Sequence, residues 1–341
     1  MNTININNIS DTPLWDIWMS MYHLAAVSVA DELGIFNCLT QKNLGTEEIA
    51  IKLNLSTRAV QILIEVLVGL KFIIKKNKKY FLSPTAKTYL LPDSLFYWGA
   101  ILFNLRAHHE HQKILAAIKK GSNQLLFENK TFSDMWKEDT LTQEAAAIFT
   151  QKMHATIFAP AAHAVNKGIF KATKNLLDVG GGSGCFNIAY ALKYPKYKAL
   201  VFDLLPVCDV AKTYIQQFKV ANRVSVHPGN FFIKNNWPHG RDGILLSQIL
   251  HDWPIDHCKK ILKYAYDCLP KGGIIYIHEM LLDKDRISPL TTVCFDLLMF
   301  INHHSQQFTQ KEIFDLLKNS GFNKIKIQKT FGYYSIISAQ K

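Results

Sequence analysis

A glycine-rich stretch near the middle of the chain carries the clearest chemical pattern. The run Leu176-Leu177-Asp178-Val179 leads into four glycines within five positions, 180–184, and an apolar pattern with helical spacing follows. This order predicts a strand, a tight loop and a helix, as in the first crossover of a parallel sheet. Because glycine has no Cβ, such a loop lets a ligand approach the backbone.

Two classes of cofactor could use this loop. NAD enzymes need Gly-x-Gly-x-x-Gly or alanine in the sixth place, where this chain has Cys185. S-adenosylmethionine has no phosphate and needs open backbone beside its methionine part. Both classes use an acid at the next strand end to hold ribose hydroxyls, and Asp203 stands there. With a predicted C-terminal hairpin, the pattern favours S-adenosylmethionine.

His251 is the candidate acid–base residue. It follows the predicted strand 243–248, at the sheet edge where the glycine loop also lies. Methyl transfer to a hydroxyl group requires removal of its proton, and an imidazole with a pKa near ~6.5 can accept a proton at neutral pH. The alternative from these residues alone is a buried, hydrogen-bonded histidine at a strand end.

Metal binding has little support in the sequence. His108 and His111 share a predicted helix face, but no further ligand nearby has a suitable spacing. No cluster of acids with an asparagine follows the fourth predicted strand, as a Mg²⁺-dependent methyltransferase would need. The six cysteines include no Cys-x-x-Cys pair, which suits reduced thiols in the cytosol. We therefore expect a cytoplasmic protein without a metal.

The C-terminal half alternates predicted strands and helices that position these residues. The predicted strands are 175–179, 198–203, 223–227, 243–248, 273–279, 324–329 and 333–339. The predicted helices are 185–193, 206–219, 255–269, about 289–302 and 309–320. Repeated βα units predict a mostly parallel seven-stranded sheet, an α/β Rossmann-like fold. The short link at 330–332 predicts an antiparallel C-terminal hairpin.

The N-terminal part has the outline of a winged helix. A helix is predicted over 14–36, and Thr46 and Ser56 can cap two further helices that end at Leu53 and Leu70. Two short strands, 72–74 and 80–82, would then form a hairpin around a lysine cluster.

The second helix of this module does not favour DNA binding. From Thr57 to Leu70 only four residues are polar, whereas a recognition helix needs an exposed face rich in basic and amide side chains. The net charge of +12 comes from lysines spread along the chain. The module is therefore predicted to be a dimerisation domain. A DNA-binding regulator that senses a metabolite remains the alternative.

Length and composition suggest two domains joined by a connector. A chain of 341 residues is too long for one ordinary core, and its apolar runs are far shorter than the ~20 residues that span a bilayer. Residues 1–12 show no secretory signal pattern. We predict a dimerisation domain over 1–105, a helical connector over 106–170 and a cofactor-binding catalytic domain over 171–341.

Several motifs in order give a resemblance to a known family. They are Leu177–Gly184, Phe202-Asp203-Leu204, Pro228–Phe232, Leu250-His251-Asp252-Trp253-Pro254, Asp296–Met299 and Phe308-Thr309. The chain resembles the caffeate/acetylserotonin-type small-molecule O-methyltransferases, and the resemblance covers essentially its whole length. It implies an S-adenosylmethionine-dependent enzyme of secondary metabolism, a homodimer formed through the N-terminal domain, and no nucleic-acid or membrane partner.

The resemblance implies specific cofactor contacts. Gly180 would lie against the methionine portion and Asp203 would hold the ribose, with Gly182 and Leu204 as further cofactor-binding residues. Asn230 and Phe231 would flank the adenine, and Ser247 would lie close to the cofactor. Two of these depart from the family pattern, because position 230 is usually Asp and position 247 often has a longer polar side chain.

The resemblance also implies the catalytic set. His251 would be the general base, with Glu279 fixing its tautomer. Many relatives have a second Glu before the Phe-Thr motif, whereas this chain has Gln307, which can hydrogen-bond but adds no charge. Asp252 is predicted to cap or brace the following helix.

A flat aromatic acceptor is the expected substrate. Met153, His154 and Phe158 lie on one side of a predicted helix before the glycine loop, where they could wall an apolar pocket. Phe295, Met299 and Asn302 complete the predicted lining, with His303 and His304 nearby. Methyl transfer to nitrogen or carbon, or use of the cofactor without methyl transfer, remains an alternative reaction.

Overall fold

The computed structural model describes residues 9–120, 126–127, 130–303 and 305–341. The helices in chain order are α1 (Thr12–Glu32), α2 (Ile35–Cys38), α3 (Thr46–Leu53), α4 (Thr57–Gly69), α5 (Pro84–Tyr89), α6 (Gly99–Leu105), α7 (His109–Lys120), α8 (Phe132–Lys137), α9 (Gln143–Asn166), α10 (Cys185–Lys193), α11 (Leu205–Gln217), α12 (Ile255–Cys268), α13 (Leu290–His303) and α14 (Gln310–Asn319). The strands are β1 (Ile73–Lys76), β2 (Lys79–Leu82), β3 (Leu126–Phe127), β4 (Lys130–Thr131), β5 (Asn175–Val179), β6 (Lys198–Asp203), β7 (Val224–Pro228), β8 (Gly243–Ser247), β9 (Ile274–Met280), β10 (Asn323–Lys329) and β11 (Tyr334–Gln340).

The chain divides into two compact units, each built from separate stretches of sequence. The sheet unit contains Phe132–Leu281 and Gln310–Lys341, together with the described residues 9–11. The helical unit contains Thr12–Thr131 and the returning segment Leu282–Thr309, which includes α13. Residues far apart in the sequence therefore fold together in each unit.

The sheet unit is an α/β layer built on a seven-stranded sheet with the order β10-β11-β9-β8-β5-β6-β7. Strands β5 to β9 run parallel, and β11 lies antiparallel to both β9 and β10. The seven predicted strands and the terminal hairpin are confirmed, each boundary within one residue. The direction of connection reverses between β5 and β8, where ligands bind in open α/β sheets.

The central strands are buried because helices cover the sheet. Four of the five residues of β5 and five of the six residues of β6 are buried. Fully buried rings in this core include Phe170, Phe186 and Tyr190, and the Tyr190 hydroxyl donates to the backbone oxygen of Thr173 at 2.7 Å. The rigid sheet therefore presents the carboxyl ends of its parallel strands as one edge.

The helical unit contains the predicted winged-helix segment. Helices α3 and α4 are followed by the β1–β2 hairpin, which turns at Asn77 and Lys78 with φ of 49° and 63°. Ser56 caps α4 by accepting from the Ala59 backbone at 3.2 Å, as predicted. The predicted cap of α3 was wrong, because Gly45 is the N-cap and its N–H donates to Glu48 at 2.7 Å.

The first helix is shorter than predicted. Helix α1 ends at Glu32, and Gly34, with φ of 74°, breaks the chain before the separate turn of α2. A glycine in this left-handed conformation ends a helix without the strain that a Cβ would add.

Helix α4 is a core helix of its unit. Eight of its thirteen residues are buried, including Glu65 at 2% exposure. Its one arginine, Arg58, donates to the buried carboxylate of Asp296 at 2.9 and 3.1 Å. A helix packed in this way lacks the exposed polar face that reads base edges, which argues against the DNA-binding alternative.

Candidate active site

The glycine loop follows β5 and leads into α10, and every second residue of the loop has left-handed backbone. Gly180, Gly182 and Gly184 have φ of 65°, 55° and 77°. A Cβ on Gly180 would lie 2.4 Å from Cδ1 of Ile249, whereas a Cβ on Gly182 would meet open space. Gly180 is therefore needed for close packing, and Gly182 for its backbone conformation.

Asp203 ends β6 beside this loop. Its Oδ2 accepts from the Gly182 N–H at 3.0 Å, and its Oδ1 accepts from the Leu204 N–H at 2.8 Å. Burial raises the pKa of Asp203 to about 6, although these two backbone bonds oppose the increase. Each carboxylate oxygen retains lone-pair capacity for a further donor, as ribose hydroxyls require. Leu204 itself is buried and precedes α11.

Asp178 is a buried acid that the sequence analysis did not assign to the site. Its side chain lies about 3 Å from the position that a Cβ on Gly181 would take, and its Oδ1 has no partner among the described residues. Burial, with the nearby Asp203, raises the pKa of Asp178 well above its usual value. The position of Asp178 in the Leu-Asp-Val-Gly motif, just before the glycine loop, is the sequence signal that could have identified it.

Asn230 is held by backbone groups. Its Oδ1 accepts from the Phe232 N–H at 2.9 Å, and its Nδ2 donates to the Lys137 carbonyl at 2.8 Å. An aspartate here would set an oxygen against that carbonyl, which gives a physical reason for the departure from the family pattern. Phe231 is buried and packs edge-on to Trp253 at 5.9 Å between ring centroids.

Ser247 ends β8, and its hydroxyl is already engaged. Its Oγ lies 3.0 Å from Nδ1 of His278, a fully buried ring that stacks on Tyr334 at 4.7 Å. The next residue, Gln248, has φ of 57°, and its side chain donates to Glu279 at 3.3 Å. Gln248 therefore belongs to the same sheet edge as Glu279, and no motif in the sequence indicated it.

His251 and Glu279 form a buried pair at the same edge. His251 lies in a 3₁₀ turn, Leu250–Asp252, after β8, and Glu279 lies near the end of β9. His251 Nδ1 is 2.8 Å from Glu279 Oε2, and their side chains are 4% and 2% exposed. The predicted pairing of these two residues is thus present in the geometry. Their catalytic roles stay predictions.

Asp252 does not cap α12, whose N-cap is Pro254. Its Oδ1 instead lies 3.4 Å from Nε2 of His251. The imidazole therefore has a carboxylate beside each ring nitrogen. Such an arrangement stabilises the protonated ring.

Gln307 belongs to the helical unit, where its backbone is fixed by a buried ion network. Asp296 on α13 accepts from the Gln307 N–H at 2.7 Å and from Arg286 at 2.9 Å. Arg286 also donates to the Gln307 carbonyl at 3.1 Å. The position of Gln307 is therefore well determined, and its role beside the catalytic base stays a prediction.

The predicted acceptor residues lie on two helices. Phe295, Met299 and Asn302 share one face of α13, at spacings of four and three residues. Met153 and Phe158 lie on α9, where Phe158 packs on Phe218 at 5.0 Å in the core of the sheet unit. Their contacts with an acceptor stay predictions, and His304 lies outside the described residues.

The residues at this edge fit S-adenosylmethionine. The loop has open backbone at Gly182, Asp203 can accept further hydrogen bonds, and Asp178 carries a buried oxygen without a partner among the described residues. In the described ranges, no group of three His, Cys, Asp or Glu side chains could hold a metal ion. Nor does any described helix have the length and apolar character to cross a membrane.

Comparison with known proteins identifies two family domains in the chain. The family model of the O-methyltransferase domain matches residues 111–323, and that of the O-methyltransferase dimerisation domain matches residues 15–92. The chain is similar to acetylserotonin O-methyltransferase from Bos taurus, with 29% identity over 92% of each protein. It is also similar to 3-hydroxy-5-methyl-1-naphthoate 3-O-methyltransferase from Streptomyces sahachiroi, with 25% identity over 92% of this chain and 90% of that one.

A solved structure supports the fold. The O-methyltransferase family 2 protein from Planctomyces limnophilus, solved in complex with apigenin, superposes with a TM-score of 0.85 at 23% identity. The match covers 99% of this chain and 98% of that one. The chain therefore belongs to the family of S-adenosylmethionine-dependent small-molecule O-methyltransferases that join this catalytic domain to an N-terminal dimerisation domain.

Proposed function

We propose that this O-methyltransferase methylates a hydroxyl group of an aromatic small molecule, with His251 as the general base. The observation that carries the proposal is the buried pair of His251 and Glu279, 2.8 Å apart, at the sheet edge that also holds the glycine loop and Asp203. The names of two relatives, acting on a hydroxynaphthoate and on acetylserotonin, support an aromatic acceptor.

The pairing with Glu279 supports Nε2 of His251 as the proposed base. A carboxylate can only accept, so Nδ1 carries a proton and donates it to Glu279 Oε2. Gln248 donates to the same carboxylate oxygen at 3.3 Å, which orients it. In that tautomer of the neutral ring, Nε2 is the nitrogen whose lone pair can accept a proton.

Removal of the acceptor proton at Nε2 converts His251 to an imidazolium. Glu279 stabilises the new charge on one side, and Asp252 Oδ1, 3.4 Å from Nε2, stabilises it on the other. A phenol with a pKa near ~10 thus becomes a better nucleophile as it loses its proton.

The cofactor supplies a methyl group on a sulfonium centre that an oxygen nucleophile can displace. The chain would hold it with the backbone of Gly180 and Gly182, the carboxylate of Asp203, and the loop of Asn230 and Phe231. Because Asn230 is already bonded to Phe232 and Lys137, we propose that it acts by fixing this loop.

We propose a homodimer formed through the helical unit. Helix α1 exposes Leu14, Ile17, Met21 and Leu24, which lie three and four residues apart on one face. A match to a dimerisation-domain family over residues 15–92 supports a second copy as the partner. All six cysteines are buried free thiols, which supports a cytosolic location.

The test is methyl transfer to a panel of phenolic and quinonoid acceptors, with labelled cofactor and mass analysis of the product. We expect His251→Ala to lower turnover by about 10²- to 10⁴-fold, because it removes the base while leaving the cofactor loop intact. His239→Ala, which removes an exposed histidine, is the matched control and should keep full activity.

Cofactor affinity measured on the same variants shows whether the site has kept its fold. Unchanged turnover in His251→Ala would reject base-dependent O-transfer. A product methylated on nitrogen or carbon would reject the proposed acceptor group.

A further inference from the structure

His154, on the side of α9 that could wall an apolar pocket, contacts the glycine loop. Its Nδ1 shares a hydrogen bond of 2.8 Å with Oγ of Ser183. Ser183 is 3% exposed, so this bond is shielded from water on the serine side. Cys185 Sγ lies 3.4 Å from the same nitrogen and 3.2 Å from the serine oxygen.

Aromatic stacking fixes the imidazole in place. Its ring lies 4.0 Å from that of Tyr214 on α11, at an interplanar angle of 17°. On the same helix, Phe158 stacks on it at 5.0 Å and 19°. Helix α11 begins directly after Asp203 and Leu204. His154 therefore joins α9, α11 and the glycine loop.

Ser183 is the residue of the loop that can be held through its own side chain. Of positions 180–184 it alone has a side chain, since the other four are glycines. Glycine loses more conformational freedom on ordering than any other residue, so a loop of this composition needs an anchor to keep its ligand-binding shape. The adjacent Gly182 N–H donates to Asp203, so the anchor lies one residue from the proposed ribose carboxylate.

Cys185 does not replace the histidine in this role. Burial raises the pKa of its thiol to about 12, so it is neither a charged acceptor nor a reactive thiolate. Burial also lowers the pKa of His154, which keeps the ring neutral and suited to stacking between two aromatic rings. The strongest polar contact of the Ser183 side chain is thus with the imidazole.

We propose that His154 is a positioning residue that preorganises the cofactor-binding loop through its hydrogen bond to Ser183. The proposal rests on the proposed role of the glycine loop in cofactor binding and not on the role of His251. Loss of the bond leaves the chain folded but makes the loop adopt its binding shape at the moment the cofactor binds. Affinity falls by about 3- to 10-fold, the size of one net hydrogen bond.

The test measures the dissociation constants of S-adenosylmethionine and S-adenosylhomocysteine by calorimetry on the full chain, without an acceptor. His154→Phe keeps the ring stack and removes the bond, so it should weaken both ligands by that factor. His154→Asn keeps a polar atom near the position of Nδ1 and should bind closer to the unsubstituted protein. If His154 acts only by stacking, His154→Phe should bind the cofactor more tightly than His154→Asn.

Ser183→Ala removes the other partner and supplies a second route to the same answer if a His154 variant fails to fold. His154→Phe should add little in the Ser183→Ala background, because the bond is already absent. His163→Phe is the matched control, since His163 lies on the same helix and stacks on Phe331 at 4.1 Å. Unchanged cofactor affinity in both His154→Phe and Ser183→Ala, or fully additive effects, would overturn the proposal.

A normal dissociation constant in these variants together with inactive His251→Ala would leave the proposed reaction standing and reject only the positioning role. Weakened cofactor binding in these variants together with a fully active His251→Ala would support the positioning role and reject the proposed reaction.

Discussion

Beside the glycine loop, the carboxylates of Asp178 and Asp203 lie on the neighbouring strands β5 and β6 but differ in their hydrogen bonds. Asp178 and Asp203 are both buried, and each favours the protonated form more than an exposed acid does. Asp203 differs because two backbone N–H groups donate to it, which partly offsets the cost of its charge. Its pKa of about 6 leaves Asp203 largely ionised at neutral pH.

This difference predicts how cofactor binding depends on pH. With a pKa of about 6 in the free enzyme, Asp203 becomes protonated as the pH falls below that value and loses capacity to accept ribose hydroxyls. The dissociation constant of S-adenosylmethionine should therefore rise by up to about 10-fold between pH 7 and pH 5. Calorimetry across this range measures it.

Asp203→Asn is the matched variant, because the amide does not titrate. Its affinity should be weak at every pH and show little dependence on pH. An equally steep pH dependence in Asp203→Asn would assign the effect to another group, and a flat profile in the unsubstituted protein would contradict the prediction.

At the scale of elements, α4 and α13 are joined by buried charges within the helical unit. Asp296 on α13 receives Arg58 from α4 and Arg286 from the preceding loop. Glu65 on α4 is 2% exposed, receives Gln61 at 2.8 Å and lies 3.5 Å from Arg286 Nε. Burial is the largest influence on Glu65 and raises its pKa to about 7.

Glu65 gives a stability prediction with a definite sign. Its pKa is about 4.3 when unfolded and about 7 when folded, so between these values the folded state binds more protons. The free energy of unfolding therefore decreases as the pH rises through this window. Glu65→Gln lacks this titration, so its stability relative to the unsubstituted protein should increase by about 1 to 3 kcal/mol from pH 5 to pH 8.

Chemical denaturation at the two pH values measures this change. Glu47→Gln, at an exposed position of α3, is the control and should show no comparable shift. A difference between Glu65→Gln and the unsubstituted protein that stays constant or shrinks with pH would reject the assignment.

At the scale of the whole molecule, neither unit is a continuous stretch of sequence. The segment Leu282–Thr309 leaves the sheet after β9 and folds with the N-terminal helices before the chain returns as α14. The helix predicted to contact the acceptor, α13, is therefore part of the unit that carries the dimerisation-domain match. The sheet ends at β10, whose exposed Lys324 and Lys326 disfavour pairing with another sheet edge.

The exposed face of α1 predicts the oligomeric state. Ile17 is 76% exposed at the centre of the apolar face, so a charge placed there should oppose burial against a second copy. Ile17→Asp should shift a dimer to a monomer, as measured by light scattering after size-exclusion chromatography.

Ile148→Asp is the control, because Ile148 is an exposed isoleucine on α9 of the other unit, at 64% exposure. It should leave the dimer intact. A monomeric unsubstituted protein, or a dimer that persists in Ile17→Asp at the same concentration, would contradict the proposed interface.

Local sequence determined the elements and their order with good accuracy. The β-strands of the sheet, the glycine loop and the position of His251 after β8 follow from apolar runs, glycine content and strand ends, which are properties of neighbouring residues. The resemblance to a family, read from short motifs, added the pairing of His251 with Glu279. The start of α3 was missed because a glycine N-cap gives a weaker signal than Thr46.

Tertiary structure decided which residues share a contact across the fold. Ser183 is held by His154, twenty-nine positions away, and Asn230 by the Lys137 carbonyl, ninety-three positions away. Asp296 receives Arg58 across 238 positions. No local pattern encodes such pairs, because they depend on how helices pack and on which buried polar groups then need a partner. The sequence alone therefore predicts which edge of the sheet carries the candidate site. The packing of distant helices decides how the residues at that edge are held.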